Sequence, residues 1–521
     1  MGPENPPAPL PRVGPRVPRA ASLPSTESET RVKVVTPADH ESLRRRVRLG
    51  VWVLVARTVI IQLTVLGGTF YLARLLEPAD FGVKAILDFA LYFFALFGDA
   101  GFAVALMQQR DTPNQRQLSS VWWLQLLVSA ALVIAVFPAA SLVPRIWPDL
   151  PPSAPWLLRC LALQLLITAM RVVPAILLER ELKFAQLAAL DFVMTLVFYG
   201  VAVLLARLHY GVASLFAAAL LQGLVGLVLV FALRPWRPTW VMDRKLLAPI
   251  VKFGVTYQAK HVIAFFNGAV TPVYAGVTLG KRPLGLNNWA QQTASFPLQL
   301  VEIMRRASFP LWARLQGDQS ALAASIERTV QTCCIVTMFF SALFFGIGPN
   351  LIHIVFTDKW MPALPVLYVY AFGIGICFLS PLIGAALDAL GKPKPMVHNA
   401  VFTTLVNWTV MLVLMPHFRS LFAFAVLYQV HLFFGNGLAL WELKKLVPEV
   451  RLLRRMAAPI LTAALVAAFG HYVLRGWITG PLTLVATIVA IAAAFLGTMF
   501  VLDRRAVRDA LAAIPRKRVA P

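Results

Sequence analysis

Fourteen hydrophobic stretches follow one another between Val51 and Leu502, and no loop between them is long enough to hold a soluble active site. They lie near 51–75, 80–107, 118–140, 155–178, 184–206, 211–233, 247–278, 283–304, 329–347, 361–390, 395–415, 420–441, 456–474 and 480–502. A helix needs about 20 apolar residues to cross the hydrocarbon core of a bilayer. A membrane β-barrel would instead show segments of about 10 alternating residues. The runs here are long and continuous, so the sequence predicts an all-α polytopic membrane protein. Its chemistry then lies within the bilayer. The working residues are sought among the few charges inside the stretches, each of which costs at least about 2.5–3.5 kcal/mol at mid-bilayer.

The chain carries a net charge of +24, which could point to nucleic acid. The distribution argues otherwise. If the N-terminus is inside, thirty-four Lys and Arg fall in inner segments and seven in outer loops: Arg145, Arg207, Lys281, Arg282, Lys359, Arg419 and Arg475. Cytoplasmic loops carry such an excess. The basic charge therefore reads as topology and contact with anionic membrane lipids, with both termini cytoplasmic and no nucleic-acid partner.

The first 47 residues contain nine prolines and no apolar run, and they predict a disordered cytoplasmic tail. No secretory signal peptide is expected, because no apolar core precedes Val51. Cys160, Cys333, Cys334 and Cys377 show no disulfide or zinc spacing. No phosphate loop, His cluster at metal-ligand spacing or nucleotide-binding domain occurs. The expectation is a protein that is not an enzyme and has no cofactor or metal.

A weak internal repeat divides the chain. Residues 57–99 superpose on 260–302 at an offset of 203: Tyr71 on Tyr274, Phe81-Gly82 on Leu284-Gly285, Arg57 on Lys260, Asp99 on Glu302. Six stretches lie within the offset, so both copies enter the membrane in the same direction, as in parallel transporter repeats. The expected domains are a tail (1–47), a six-helix lobe (48–240), a second six-helix lobe (241–450), an extra helix pair (451–503) and a basic tail (504–521).

Helical periodicity places Arg57, Ile61, Thr64 and Gly68 on one face, matched by Lys260, Ala264, Asn267 and Thr271. In the second stretch Lys84, Asp88, Tyr92, Ala95 and Asp99 form a stripe. Its partners are Asn287, Gln291, Ser295, Leu298 and Glu302, widened by Asn288 and Gln292. Four such stripes could line one cavity between the lobes, with Arg171 as a further cavity residue. Other readings stand beside this one. Arg57 and Lys260 could belong to internal ion pairs or snorkel. Lys84 and Asp88 stand four apart and suit a local pair. Asp99 and Glu302 could simply be solvated at the interface, and His261 suits a packed, neutral ring. Gly67-Gly68, Pro272, Pro283 and Pro297 supply bending points or static kinks.

Several stretches resemble the polysaccharide flippases of the multidrug/oligosaccharidyl-lipid/polysaccharide exporter superfamily. They are YLARLLEPADFG (71–82), FGDAGFAVALMQQRD (97–111), RELKF (180–184), SFPLWARLQGD (308–318) and ALGKPK (389–394), and together they cover about residues 48–450. The resemblance implies two six-helix bundles around a V-shaped cavity. It implies translocation of an undecaprenyl-diphosphate-linked oligosaccharide across a bacterial inner membrane by alternating access. It further implies that Arg57 and Lys260 bind the diphosphate, for which Arg171 is a third candidate from its place in the fourth stretch, and it makes other polysaccharide-assembly proteins candidate partners. Whether Asp88, Asp99 or Glu302 couples an ion is left open. A drug or metabolite antiporter of the same superfamily is the nearer alternative, although cationic substrates would favour an acidic cavity. A membrane polymerase or ligase is more distant, since the longest outer loop, about 141–154, is short.

Overall fold

The computed structural model describes residues 60–98, 101–109 and 112–504, with backbone alone at 255–257, 259 and 260. All regular elements among the described residues are helical. The first half holds α1 (Ile60–Leu75), α2 (Pro78–Gly98), α3 (Gln115–Ile146), α4 (Ala154–Arg180), α5 (Phe184–Arg207) and α6 (Ala213–Leu233). The second holds α7 (Arg244–Ala269), α8 (Lys281–Ser295), α9 (Gln319–Phe356), α10 (Asp358–Ala389), α11 (Lys394–Phe418) and α12 (Leu421–Leu446). A final pair follows, α13 (Leu452–Trp477) and α14 (Pro481–Leu502).

Eleven of these helices, α2–α6 and α9–α14, are long and apolar enough to cross a membrane. The sequence predicted fourteen spans. The difference has physical causes. α1 begins at the edge of the described residues. α7 and α8 carry more polar residues and are interrupted. A wide-turn segment, Val270–Ala275, follows α7 and contains Pro272. Such π-type turns mark places where the regular ladder is relaxed. α8 stops at Ser295, and its continuation Leu298–Arg314 starts after Pro297. Pro283 kinks nothing: it sits in the first turn of α8, where a missing N–H is tolerated. The expected stretch 80–107 is likewise split, with Gly101 in a left-handed conformation before a short helix, Phe102–Gln108.

Helix starts are written in the sequence. Asn114, Asp243, Asp318 and Ser420 each accept hydrogen bonds from first-turn backbone N–H groups of α3, α7, α9 and α12. These are side-chain N-caps. In the RELKF segment Glu181 fastens the α4–α5 turn to the end of α6, pairing with Lys183 at 2.7 Å and Arg234 at 2.8 Å. The Lys183 hydrogen bond, ahead of Arg234, holds this carboxyl below its usual range.

Within the first half α5 packs on α6, and α4 on α3 and α6. Within the second, α11 packs on α12, and α10 on α8, α9 and α12. α9 and α10 are the most enclosed spans, whereas the others turn much of their apolar surface outward, as lipid-facing helices do. The final pair is joined through α13 to α9. Gly346 and Gly470 let the two backbones approach closely, and Glu327 accepts from Arg451 N at 2.7 Å and Arg455 Nε at 3.0 Å.

The halves meet where α2 crosses α8. A Cβ on Gly82 would overlap the Lys281 carbonyl, and one on Gly285 would overlap the Pro78 carbonyl. At the offset of 203, Pro78 matches Lys281 and Gly82 matches Gly285. The crossing is therefore self-reciprocal, as a contact across a local two-fold axis must be. α2 and α8 also begin at equivalent positions.

Candidate functional site

A cavity of about 510 Å³ lies between α2, α3, α4 and α7. Tyr92, Gln125, Ser129, Gln164, Thr168, Gln258 and His261 supply its polar groups, and no carboxylate, Lys or Arg is among its described lining residues. The amides are fixed by backbone. Gln125 Nε2 donates to Gly98 O at 2.6 Å, Gln258 Nε2 to Leu96 O at 2.6 Å, and Gln164 to Ala219 O. The buried Oε1 of Gln125 has no protein partner. Amide side chains offer both donors and acceptors, so this wall suits hydroxyl-rich, uncharged groups. Phe89 stacks on Phe265 at 5.0 Å, and Tyr92 flanks the same ring. A larger cavity, about 620 Å³ between α9, α10 and α13, is lined almost wholly by apolar groups and offers few directional contacts.

The predicted site residues fall in several places. Arg57 and Asp99 lie outside the described residues. Lys260 stands on α7 between the cavity-lining Gln258 and His261, and only its backbone is described. Thr64 bonds back to Ile60 O, and Asn267 donates to Thr404 at 3.2 Å. Lys84 and Asp88 pair with each other along α2. Arg171 is on the cavity helix α4, but it turns toward Met194 of α5 and Gly226 of α6, with its Nε buried and unpaired. Asn287 is fully buried and accepts from the Tyr370 hydroxyl at 2.9 Å. Gln291 meets Tyr428, Asn288 and Ser295 are half-buried, and Gln292 is exposed. Glu302 is held by Arg305 at 2.6 Å and Arg306 at 2.8 Å. Among the described residues no group of three or more His, Cys, Asp or Glu is placed to hold a metal ion.

Gln125, Ser129, Gln164, Thr168 and Gln258 did not emerge from the sequence. The signal they carry is that amides inside apolar helices need partners; it is weaker than that of a charge in the same place. His261, expected to be packed away, lines the cavity.

At the end bearing the α1–α2, α3–α4, α7–α8 and α9–α10 turns, the two halves are shut against each other. Trp147, after α3, donates its indole N–H to Pro272 O of the wide turn at 2.9 Å. Trp360, at the start of α10, donates to Ala73 O of α1 at 2.8 Å. Lys359 Nζ donates to Arg74 O at 2.8 Å, and Arg74 Nε donates to Val355 O at 2.7 Å. The last four carbonyls of a helix have no partner within it. Here each half caps the other's helix ends. Asp149 pairs with Lys281 at 3.4 Å, and Glu77 with Lys359 at 3.8 Å. Apolar residues of both halves, including Val83, Leu87, Val270, Leu284 and Phe424, pack around Trp147 in one cluster.

Comparison with known proteins agrees with this architecture. The chain is similar to the teichuronic acid biosynthesis protein TuaB of Bacillus subtilis (strain 168), 24% identical over 299 residues, 56% of this chain and 61% of that one. It is similar to the succinoglycan biosynthesis transport protein ExoT of Rhizobium meliloti (strain 1021), 26% identical over 313 residues, 58% of this chain and 61% of that one. The match thus spans about three-fifths of the length of these relatives. In structure the chain shares the fold of the lipid II flippase MurJ in its inward closed conformation. The TM-score is 0.67 at 13% identity, over 87% of this chain and 99% of that one. The model of one family, described as polysaccharide biosynthesis protein, matches residues 71–365, and this multi-span membrane protein belongs to that family.

Proposed function

We propose that this chain is a flippase that carries a lipid-linked oligosaccharide, on an undecaprenyl-diphosphate-type carrier, from the cytoplasmic to the outer leaflet by alternating access. The observation that carries the reading is the pairing of a shut end with an amide-lined cavity in the other part of the bundle. By the distribution of basic residues the shut end faces outward, so the cavity belongs to an inward-facing state.

The glycan occupies the amide-lined wall while the polyprenyl chain stays in lipid. Arg57 and Lys260, equivalent in the two lobes, draw in the diphosphate. Desolvated cations attract an anion far more strongly than water-exposed ones. Outward movement of negative charge from an inside-negative cell is downhill by about 2.3 kcal/mol per charge per 100 mV. The amides of Gln125, Gln164 and Gln258, which suit sugar hydroxyls, support this substrate class over a cationic drug or metabolite. The two six-helix lobes and the inner-membrane location with cytoplasmic termini are parts of the same reading.

The test is deletion of the gene followed by leaflet-resolved analysis of lipid-linked glycans. A glycan-lipid that accumulates on the cytoplasmic face, and disappears when the gene is restored, is the expected result. Normal glycan export in the deletion strain would overturn the reading.

A further inference from the structure

Trp147 and Trp360 occupy corresponding places in the two halves, each shortly after the third helix of its half: Trp147 in the α3–α4 turn and Trp360 in the first turn of α10. Each reaches across to the other half, Trp360 to the last turn of α1 and Trp147 to the wide turn that continues α7. Trp147 is 5% exposed and Trp360 is fully buried, and each indole N–H ends on one backbone carbonyl, Pro272 O or Ala73 O. Each turn also brings one charge to the start of the opposite α8 or α2: Asp149 to Lys281, Lys359 to Glu77.

The indole bonds are the more durable part of this arrangement. Asp149 and Glu77 are more than half exposed, and exposed ion pairs contribute little. The indoles are enclosed, and Trp360 stacks on Trp289 at 5.1 Å with Phe81 edge-on at 5.3 Å. A buried N–H that loses its acceptor is costly.

From this we infer that Trp147 and Trp360 are reciprocal latches of the outer gate, positioning residues that set the fraction of molecules open to the outside. The inference rests on the alternating-access reading above. The latches are independent bonds on the two sides of a local two-fold axis, so either alone slows opening and both together multiply. Losing one neutral hydrogen bond changes a population by about fivefold, and losing two by about 30-fold.

The experiment uses the full-length protein with Cys160, Cys333, Cys334 and Cys377 replaced and a reporter thiol placed in the cavity by Thr168→Cys. A membrane-impermeant maleimide is applied to right-side-out and to everted vesicles. The parent should label from the basic-loop side and only slowly from the other. Trp147→Phe or Trp360→Phe should raise labelling from the gate side about fivefold, and the double variant about 30-fold. Benzothienylalanine at the same positions keeps the ring, removes the N–H and should reproduce the rise; this separates the bond from lost packing. Unchanged gate-side labelling in the double benzothienylalanine variant would overturn the inference, as would a rise confined to one of the two positions. The assay needs no substrate, so a latch result stands or falls separately from the glycan assignment.

Discussion

Gln125 brings a carbonyl with no protein partner to the wall of the cavity while its amide nitrogen holds the end of α2. A substrate hydroxyl is the natural donor to it. Gln125→Leu should fold and insert, because the freed Gly98 carbonyl can take water from the cavity. Export should fall about tenfold, the equivalent of about 1.4 kcal/mol of binding. A transport assay at matched protein level checks this. Arg57→Ala and Lys260→Ala should also insert normally, since neutral residues are cheaper in the bilayer, yet fail to export glycan. Arg57→Lys should keep part of the activity, because a point charge attracts phosphate but lacks the planar fork. Complementation of the deletion strain reads all three; wild-type export by the double alanine variant would sink the cationic-cavity mechanism. At this scale the sequence was only partly legible. Charges in apolar runs stand out, and Lys84–Asp88 was legible as a pair at a spacing of four. The direction in which a side chain leaves its helix was not legible. Arg171 shares α4 with Gln164 and Thr168, and only the packing of α5 and α6 shows that it turns away from them.

Helices begin and end where elementary signals put them. The caps at Asn114, Asp243, Asp318 and Ser420 are ordinary N-cap types, and hydropathy located the eleven described helices that are long and apolar enough to cross a membrane. The interruptions were harder. Proline marks a possible break without deciding it: Pro272 lies in a wide turn, Pro297 separates two helices and Pro283 opens one. Glycine was more informative than proline, because Gly82 and Gly285, aligned by the repeat, form the reciprocal α2–α8 crossing. Gly82→Ala or Gly285→Ala would drive a methyl into backbone that cannot yield. Each should spread the crossing and increase gate-side labelling of the cavity thiol, an effect a tolerated surface change would not produce. Glu327 is the corresponding fastener for the final pair. Glu327→Ala removes an acceptor from Arg455 and from a backbone N–H, at a cost of about 1.5–3 kcal/mol per charged hydrogen bond. A lowered thermal unfolding temperature in detergent is the expected result, with the α9–α13 contact weakened first.

At the scale of the molecule, the basic asymmetry predicts orientation. Reporter fusions after Arg145 and Lys359 should read as periplasmic, and fusions after Arg244 and Arg451 as cytoplasmic. A reversed signal at any of the four breaks the assignment. The first 40 residues are too rich in proline and polar groups to build a core. A protein starting near Ser42 should therefore insert and export normally, measured by complementation.

The link between the halves also bears on how they can move. Trp236 donates to Gln115, and Gln115 returns a bond to Arg237 O. Trp123 and Ser119 hold Thr239, and Ser120 holds Val241 O and Asp243 N. This connector is thus strapped along α3 and travels as part of the first half; it is no slack tether. Asp243 takes the last of these bonds through its N–H and caps α7 through its carboxylate. Just beyond it Leu247 and Ile250 of α7 pack into the same cluster as Trp122 and Trp236, so a tilt of α7 against α3 must bend the backbone at Asp243 and slide that packing together.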